Sequence, residues 1–539
     1  MRSMSDVHGG QQAGNEYDAI VVGGGHNGLV HAAYLAKAGL RTLVLERRDV
    51  VGGAAITEEL HPGFHFTTFS YAVSLLRPEV VTELDLVRHG YQTFPIATSF
   101  APMDNGDHLL LGRDDRANAD QIARHSRADA AAYPRYSRDI ADVVRAVRPL
   151  FDDVPPDVFS DDPDEVMRLA AVGRHLRGLP KQVLHNTVRL LTGSAADFLD
   201  DYFESDVLKG LLASSGIIGT KVGPRSQGSG LVLLYHNIGE DDGHLGSWGF
   251  HRGGNGGLTQ VIARAARALG VEIRLGASVD RVLTFGGRAT GVALADGTEL
   301  RAPVVVSALD PRRTFLDLVE PSELPGDLVD DIRRFRFQGT SSKVNFALDA
   351  LPVYPSLAGR TDQYGGFVNV APSMDYLERA FDEGKYGWYS SRPYIDGCIQ
   401  SMIDPEMAPA GKHVMSCFVH YTPYHLRGGD WDSERLRLGD TVQSTLESFF
   451  PGFGDLVLHR EVVTPLDIER VVGLSEGNIF AGELLSPQMY LFRPAPGWNQ
   501  YRTPIRGYYQ CGSGTHPGGC VTGGPGRLAA RQVVADIDR

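Results

Sequence analysis

The chain has 539 residues, 42% of them hydrophobic and 22% charged, with a formal net charge of −14 at pH 7. That length exceeds what one hydrophobic core fills, so two interleaved domains are the default. The acidic balance argues against nucleic acid as a partner, because gripping a phosphate backbone takes a clustered basic surface. No run is long and apolar enough to span a bilayer, which leaves peripheral membrane contact open.

Residues 1–16 carry no apolar core segment and read as a disordered tail rather than a secretory signal or transit peptide. An organised unit then begins at Tyr17. The apolar run Ala19 to Val22 drives into Gly23-Gly24-Gly25-His26-Asn27-Gly28, a helical pattern follows, and a second apolar run, Thr42 to Leu45, ends at Glu46. This order predicts a dinucleotide site. Gly23 allows the sharp turn off the strand, Gly25 lets the backbone approach a pyrophosphate, and Gly28 lets the helix pack closely on the sheet. Glu46 falls about twenty residues after the glycines, where a carboxylate accepts from a ribose diol and disfavours a 2′-phosphate. Arg47 follows, and Gly52-Gly53-Ala54 then suggests a second backbone approach, as in flavoproteins that lay FAD along the sheet.

Further along, His61 and His65 read as surface or satisfied groups, and a helix is expected from Pro78 to Leu86. Residues 91–112 suggest short strands around an Asn105-Gly106 turn, and 115–205 suggest helices with solvated charged faces, a lid over the substrate. Ser205 to Glu240 is apolar and rich in small residues, and reads as core or as the lining of a greasy pocket, which periodicity does not separate. Residues 253–275 predict a glycine turn, a helix and a strand returning to the nucleotide domain by a parallel crossover. Residues 316–495 predict strands and helices of the other domain, either roofing a ligand cavity or forming a dimer face. The last organised stretch, Pro504 to Ile537, holds a strand, the run Gly512-Ser513-Gly514-Thr515-His516-Pro517-Gly518-Gly519, and a small-residue helix whose N-terminus suits charge developing on a reduced flavin.

Cys398, Cys417, Cys511 and Cys520 make no CxxC pair and no metal-ligand spacing. They are expected to be unpaired thiols in a reducing cytoplasm, with no metal centre and no covalent-flavin signal at Cys511 or Cys520. Neither a redox cysteine pair nor a second glycine fingerprint for NAD(P)H is present, so the electrons are expected from an organic substrate.

Together VVGGGHNGL, LERRDVVGGAA, GGNGGL, LFRPAPG and YRTPIRGYYQCGSGTHPGG resemble the phytoene-desaturase-like FAD oxidoreductases, most closely the branch named for a pyridine nucleotide-disulphide oxidoreductase domain. The resemblance implies an α/β fold: a Rossmann-type FAD-binding domain (17–90, 245–315 and 496–539) with an inserted α+β substrate domain (91–244 and 316–495). It implies non-covalent FAD, with Gly23, Gly25, Asn27 and Gly28 at the pyrophosphate and Glu46, with Arg47 beside it, at the adenosine ribose. Gly52, Gly53 and Ala54 would lie in the pyrophosphate-to-ribitol region, Val279 would meet the adenine through its backbone, and Gly512, His516, Pro517 and Gly518 would border the flavin. His516 is the one candidate for acid–base catalysis. The expected reaction is hydride transfer from a C–H bond of an apolar substrate such as a polyene, isoprenoid or lipid. The alternatives are a flavin amine oxidase, with Tyr490, Phe492, Trp498 and Tyr501 as aromatic walls, an FAD-dependent polyene isomerase, and a non-catalytic FAD-binding partner protein. The oligomeric state is left open.

Overall fold

A computed structural model of the chain describes residues 17–241 and 243–538, so the expected tail at 1–16 lies outside the described residues. Two sheets organise the molecule. The first is parallel, in the order Glu272–Arg274, Thr42–Leu45, Ala19–Val22, Val304–Ser307 and Tyr508–Gln510. Its strands come from the beginning, the centre and the end of the sequence. Ala19–Val22 and Val304–Ser307 are buried along their whole length, as expected of parallel strands covered on both faces and seen in the sequence as unbroken apolar runs.

The helix His26–Lys37 lies on this sheet between the helices Gly254–Ala268 and Gly524–Ile537. Small residues make that sandwich possible: a Cβ on Gly526 would stand 2.3 Å from the Asn27 carbonyl oxygen. A three-stranded antiparallel sheet, Val279–Phe285, Arg288–Leu294 and Glu299–Arg301, lies between the central crossover and the strand Val304–Ser307.

The second sheet has seven strands, in the order Val457–Val463, Ser341–Leu348, His413–His420, Tyr394–Ile399, Phe367–Val370, Ser99–Pro102 and His108–Leu111. All its pairings are antiparallel except Phe367–Val370 against Ser99–Pro102. The helices Arg127–Phe151, Asp206–Ser214 and Ser229–Asn237 share a hydrophobic cluster with it. The helix expected from Pro78 to Leu86 ends earlier, at Glu83, because Asp85 takes a left-handed backbone and a separate short turn, Leu86–His89, follows. Among the described residues no helix is long and apolar enough to cross a membrane.

Candidate functional site

The first glycine turn is built so that each glycine does a different task. Gly23 adopts φ +102°, a backbone that side chains rarely tolerate, and a Cβ on Gly28 would lie 2.2 Å from the Gly23 carbonyl oxygen. These two serve the chain's own packing. Gly25 differs: its backbone is ordinary (φ −68°, ψ 169°), and a Cβ there would meet nothing within 4 Å. It faces an open cleft. The helix beginning at His26 has no side-chain cap, so its first N–H groups are free for a ligand.

Polar atoms around the cleft are left without protein partners. His26 Nε2 and Asn27 Oδ1 are buried and unpaired, while Asn27 Nδ2 donates to Ser513 Oγ at 3.1 Å and so ties the first turn to the C-terminal loop. Burial lowers the His26 pKa to about 4, which keeps the ring neutral. Glu46, at the end of its strand, accepts from Gly24 N–H at 2.8 Å and Arg48 N–H at 2.9 Å, and both its oxygens retain acceptor capacity. Gly52 and Gly53 both have positive φ, and Gly52 N–H donates to the Gly24 carbonyl, which lays the second glycine pair alongside the first. An open glycine, an uncapped helix, unpaired buried polar atoms and a carboxylate at the next strand end fit an extended anionic dinucleotide of the FAD kind.

The site residues expected from the sequence divide into two sets. Gly23, Gly25, Asn27, Gly28, Glu46, Gly52, Gly53 and Ala54 line one continuous cavity of about 560 Å³. Arg47, Val279, Gly512, His516, Pro517 and Gly518 do not. Arg47 turns away to donate to the Arg470 and Val471 carbonyls, and Val279 pairs with Leu294 in the three-stranded sheet. In the C-terminal loop the glycines serve packing: a Cβ on Gly512 would stand 2.4 Å from the Leu309 carbonyl oxygen, and one on Gly519 2.5 Å from Phe480 Cα. That packing places Ser513, Cys520 and Val521 at the cavity instead.

His516, the acid–base candidate, does not line this cavity. Its ring is buried against Phe151 and Tyr490, and burial drives its pKa down to about 3. The aromatic walls are corrected. Tyr490, Phe492, Trp498 and Tyr501 lie outside the cavity, which is walled by Tyr71, Tyr133, Trp248, Phe367, Tyr394 and Phe418. Leu211, Leu212 and Ile218 from the ambiguous 205–240 segment line it as well, whereas Leu231 to Leu234 belong to the core. Both readings of that segment hold, each for its own part. Cys520 is unpaired, and burial lifts its thiol pKa to about 12, which leaves it protonated and weakly nucleophilic.

One cluster escaped the sequence reading. Tyr71 donates to Asp396 Oδ2 at 2.7 Å, Lys343 Nζ sits 3.9 Å from the centre of the Tyr71 ring and bonds to Ser416 Oγ, and Ser416 donates to Asn345 Oδ1 at 2.7 Å. Tyr394 donates to Asn369 Oδ1 at 3.1 Å. Tyr71, Lys343, Asn369, Tyr394 and Asp396 all line the cavity. Burial raises the Asp396 carboxyl pKa to about 7 and lowers that of the Lys343 ammonium to about 7. A signal was available in the sequence. Asp396 interrupts the apolar run YIDGCI, whereas SSKVNFAL around Lys343 already carries Ser341, Ser342 and Asn345 and only the structure shows it buried at every position.

Comparison with known proteins agrees with this geometry. The family of flavin containing amine oxidoreductases matches residues 28–534. Pyridine nucleotide-disulfide oxidoreductase domain-containing protein 2 of Rattus norvegicus is 41% identical over 97% of this chain and 94% of its own. A phytoene desaturase (lycopene-forming) of a Paracoccus species is 26% identical over 96% of this chain and 97% of its own. The solved cyclohexylamine oxidase from Brevibacterium oxydans shares the fold, with a TM-score of 0.56 and 17% identity across 97% of this chain and all (100%) of that one.

Proposed function

The chain belongs to the flavin-containing amine oxidoreductase family, and from that premise we propose that it is an FAD-dependent dehydrogenase or desaturase taking a hydride from a C–H bond of an apolar substrate such as a polyene, isoprenoid or lipid. The observation that carries this reading is the continuity of one cavity, from Gly25 and Glu46 at its nucleotide end to Leu211, Ile218, Trp248 and Phe418 at its apolar end. The bound FAD supplies the hydride acceptor. The uncapped helix at His26 and the open face of Gly25 would receive the pyrophosphate, and Glu46 would receive the ribose hydroxyls. Aliphatic side chains of the insertion and aromatic ones of the mixed sheet would exclude water and align the substrate's C–H bond. The name of the Paracoccus relative, a desaturase of a polyene, points to the same substrate class.

Amine oxidation is the second reading, favoured by the aromatic walls at Tyr71, Trp248, Phe367 and Phe418. Anaerobic mixing of the FAD-loaded protein with extracted lipid, carotenoid and amine pools separates the two. Flavin bleaching by the lipid or carotenoid pool is expected, bleaching by amines alone would transfer the protein to the second reading, and no bleaching by any pool would refute both.

A further inference from the structure

Resting on the apolar-substrate reading above, we propose that the substrate is an apolar alcohol rather than a bare hydrocarbon, its hydroxyl held between Asp396 and Lys343 on the cavity face of the mixed sheet. The strand register places these groups. Lys343 and Asp396 both stand opposite Phe418, from the strands on either side of it, so all three share one face of the sheet. With strands about 4.8 Å apart, their backbones are separated by roughly 10 Å. Tyr71 bridges the gap, its ring against the ammonium and its hydroxyl on Asp396 Oδ2.

What this arrangement leaves unmet defines the ligand. Asp396 is 8% exposed and Lys343 2%, and no ion pair within 4.0 Å joins them. Asp396 Oδ1 is buried without a hydrogen-bond partner. Lys343 Nζ has three donors, of which Ser416 takes one. Both residues line the same cavity and carry a spare acceptor and spare donors, and an unsatisfied polar group buried there is costly. A hydroxyl donates one hydrogen bond and accepts another, so it meets both and adds no buried charge. A ketone or ester only accepts, which leaves Asp396 Oδ1 unmet whenever its carboxyl is ionised. An ammonium only donates and sets a second cation beside Lys343. A hydrocarbon satisfies neither group.

Farnesol, farnesene and farnesylamine, matched in their C15 chain, test the proposal by anaerobic titration of the FAD-loaded protein, read as perturbation or bleaching of the flavin absorbance. Farnesol is expected to bind at least about tenfold more tightly than farnesene, the effect of one hydrogen bond to a charged or strongly polar partner. In Asp396→Asn the Tyr71 hydroxyl keeps the remaining oxygen, so an amide NH₂ replaces Oδ1 and the acceptor becomes a donor. The preference for farnesol should then fall below about twofold by the same hydrogen-bond arithmetic, with FAD content and Tm retained. Lys343→Met, which removes the donor, is the second variant should Asp396→Asn fail to hold FAD. Equal binding of farnesol and farnesene by the unaltered protein, or a preference that survives both substitutions, overturns the alcohol assignment and leaves the oxidoreductase reading standing. Tightest binding by farnesylamine overturns it in favour of an amine. If none of the three perturbs the flavin, both this assignment and the apolar-substrate reading fall.

Discussion

Gly25 offers the sharpest test of the nucleotide cleft, because its substitution by alanine separates cofactor binding from folding. The backbone there is one any residue adopts, and the added methyl group meets no protein atom within 4 Å. Folding stability should therefore stay within about 1 kcal/mol, with a slight gain from the less flexible unfolded chain. The space the methyl would fill is the space a pyrophosphate needs to reach the first N–H groups of the helix. Losing one charge-assisted hydrogen bond costs about 1.5–3 kcal/mol, so the Kd for FAD should rise roughly 10- to 150-fold. Gly28→Ala is the counterpart: its Cβ would lie 2.2 Å from the Gly23 oxygen, so the helix must shift, at about 1–3 kcal/mol or more. Titration of the apoprotein with FAD, followed by fluorescence quenching, and thermal melts without FAD measure both. A Gly25→Ala protein that binds FAD within twofold of the original, with an unchanged melt, would refute the placement of the pyrophosphate at this turn.

Three further outcomes follow from buried polar groups. Glu46→Gln should lower both Tm and FAD affinity, because one of the two backbone N–H groups now on the carboxylate would face an amide NH₂, at about 1–3 kcal/mol; a variant that loses affinity alone would confine Glu46 to the ligand. Arg493 is fully buried and donates to the carbonyls of Phe480, Gly482, Glu483, Gln488 and Ser513, so Arg493→Lys, with a single point of attachment, should loosen the two loops and lower Tm, and an unchanged melt would refute that role. Acid should unfold the protein early. Burial lowers the pKa of His26, His31, His236 and His251 to about 4 and of His420 and His516 to about 3, so below pH 6.5 the unfolded chain takes up protons that the native state refuses and stability falls. Asp396 and Glu483, raised to about 7, work in the opposite sense, since the native state holds their protons down to the ordinary carboxylate range. Near pH 5.5 the six histidines outweigh the two carboxyls by about four protons, a loss of about 5 kcal/mol per pH unit. Urea melts between pH 7 and pH 5 measure it, and a flat profile would refute the burial of these rings.

The parallel sheet and its glycine turn were legible in the sequence because their requirements are local. A short apolar run, a residue that must take positive φ, a helix start without a side chain in the way and an acid at the next strand end lie within thirty consecutive positions, Ala19 to Glu46, and each restricts the residue type at its own position. The C-terminal loop shows where local reading stops. GSGTHPGG announces close approach, but a glycine is equally demanded by a ligand and by a neighbouring backbone, and here Leu309, Pro311 and Phe480 are the neighbours for most of it.

The substrate end lay beyond reach for a different reason. Tyr71, Lys343 and Asp396 come from three distant segments, and they meet only because two strands flank a third and a loop crosses their common face. From its own sequence the chain determined a dinucleotide-binding α/β unit. Only the tertiary structure decided that Lys343 and Asp396 line one cavity and that His516 does not, because strand register and loop packing join segments that are not neighbours in the sequence, Tyr71 and Asp396 lying 325 positions apart.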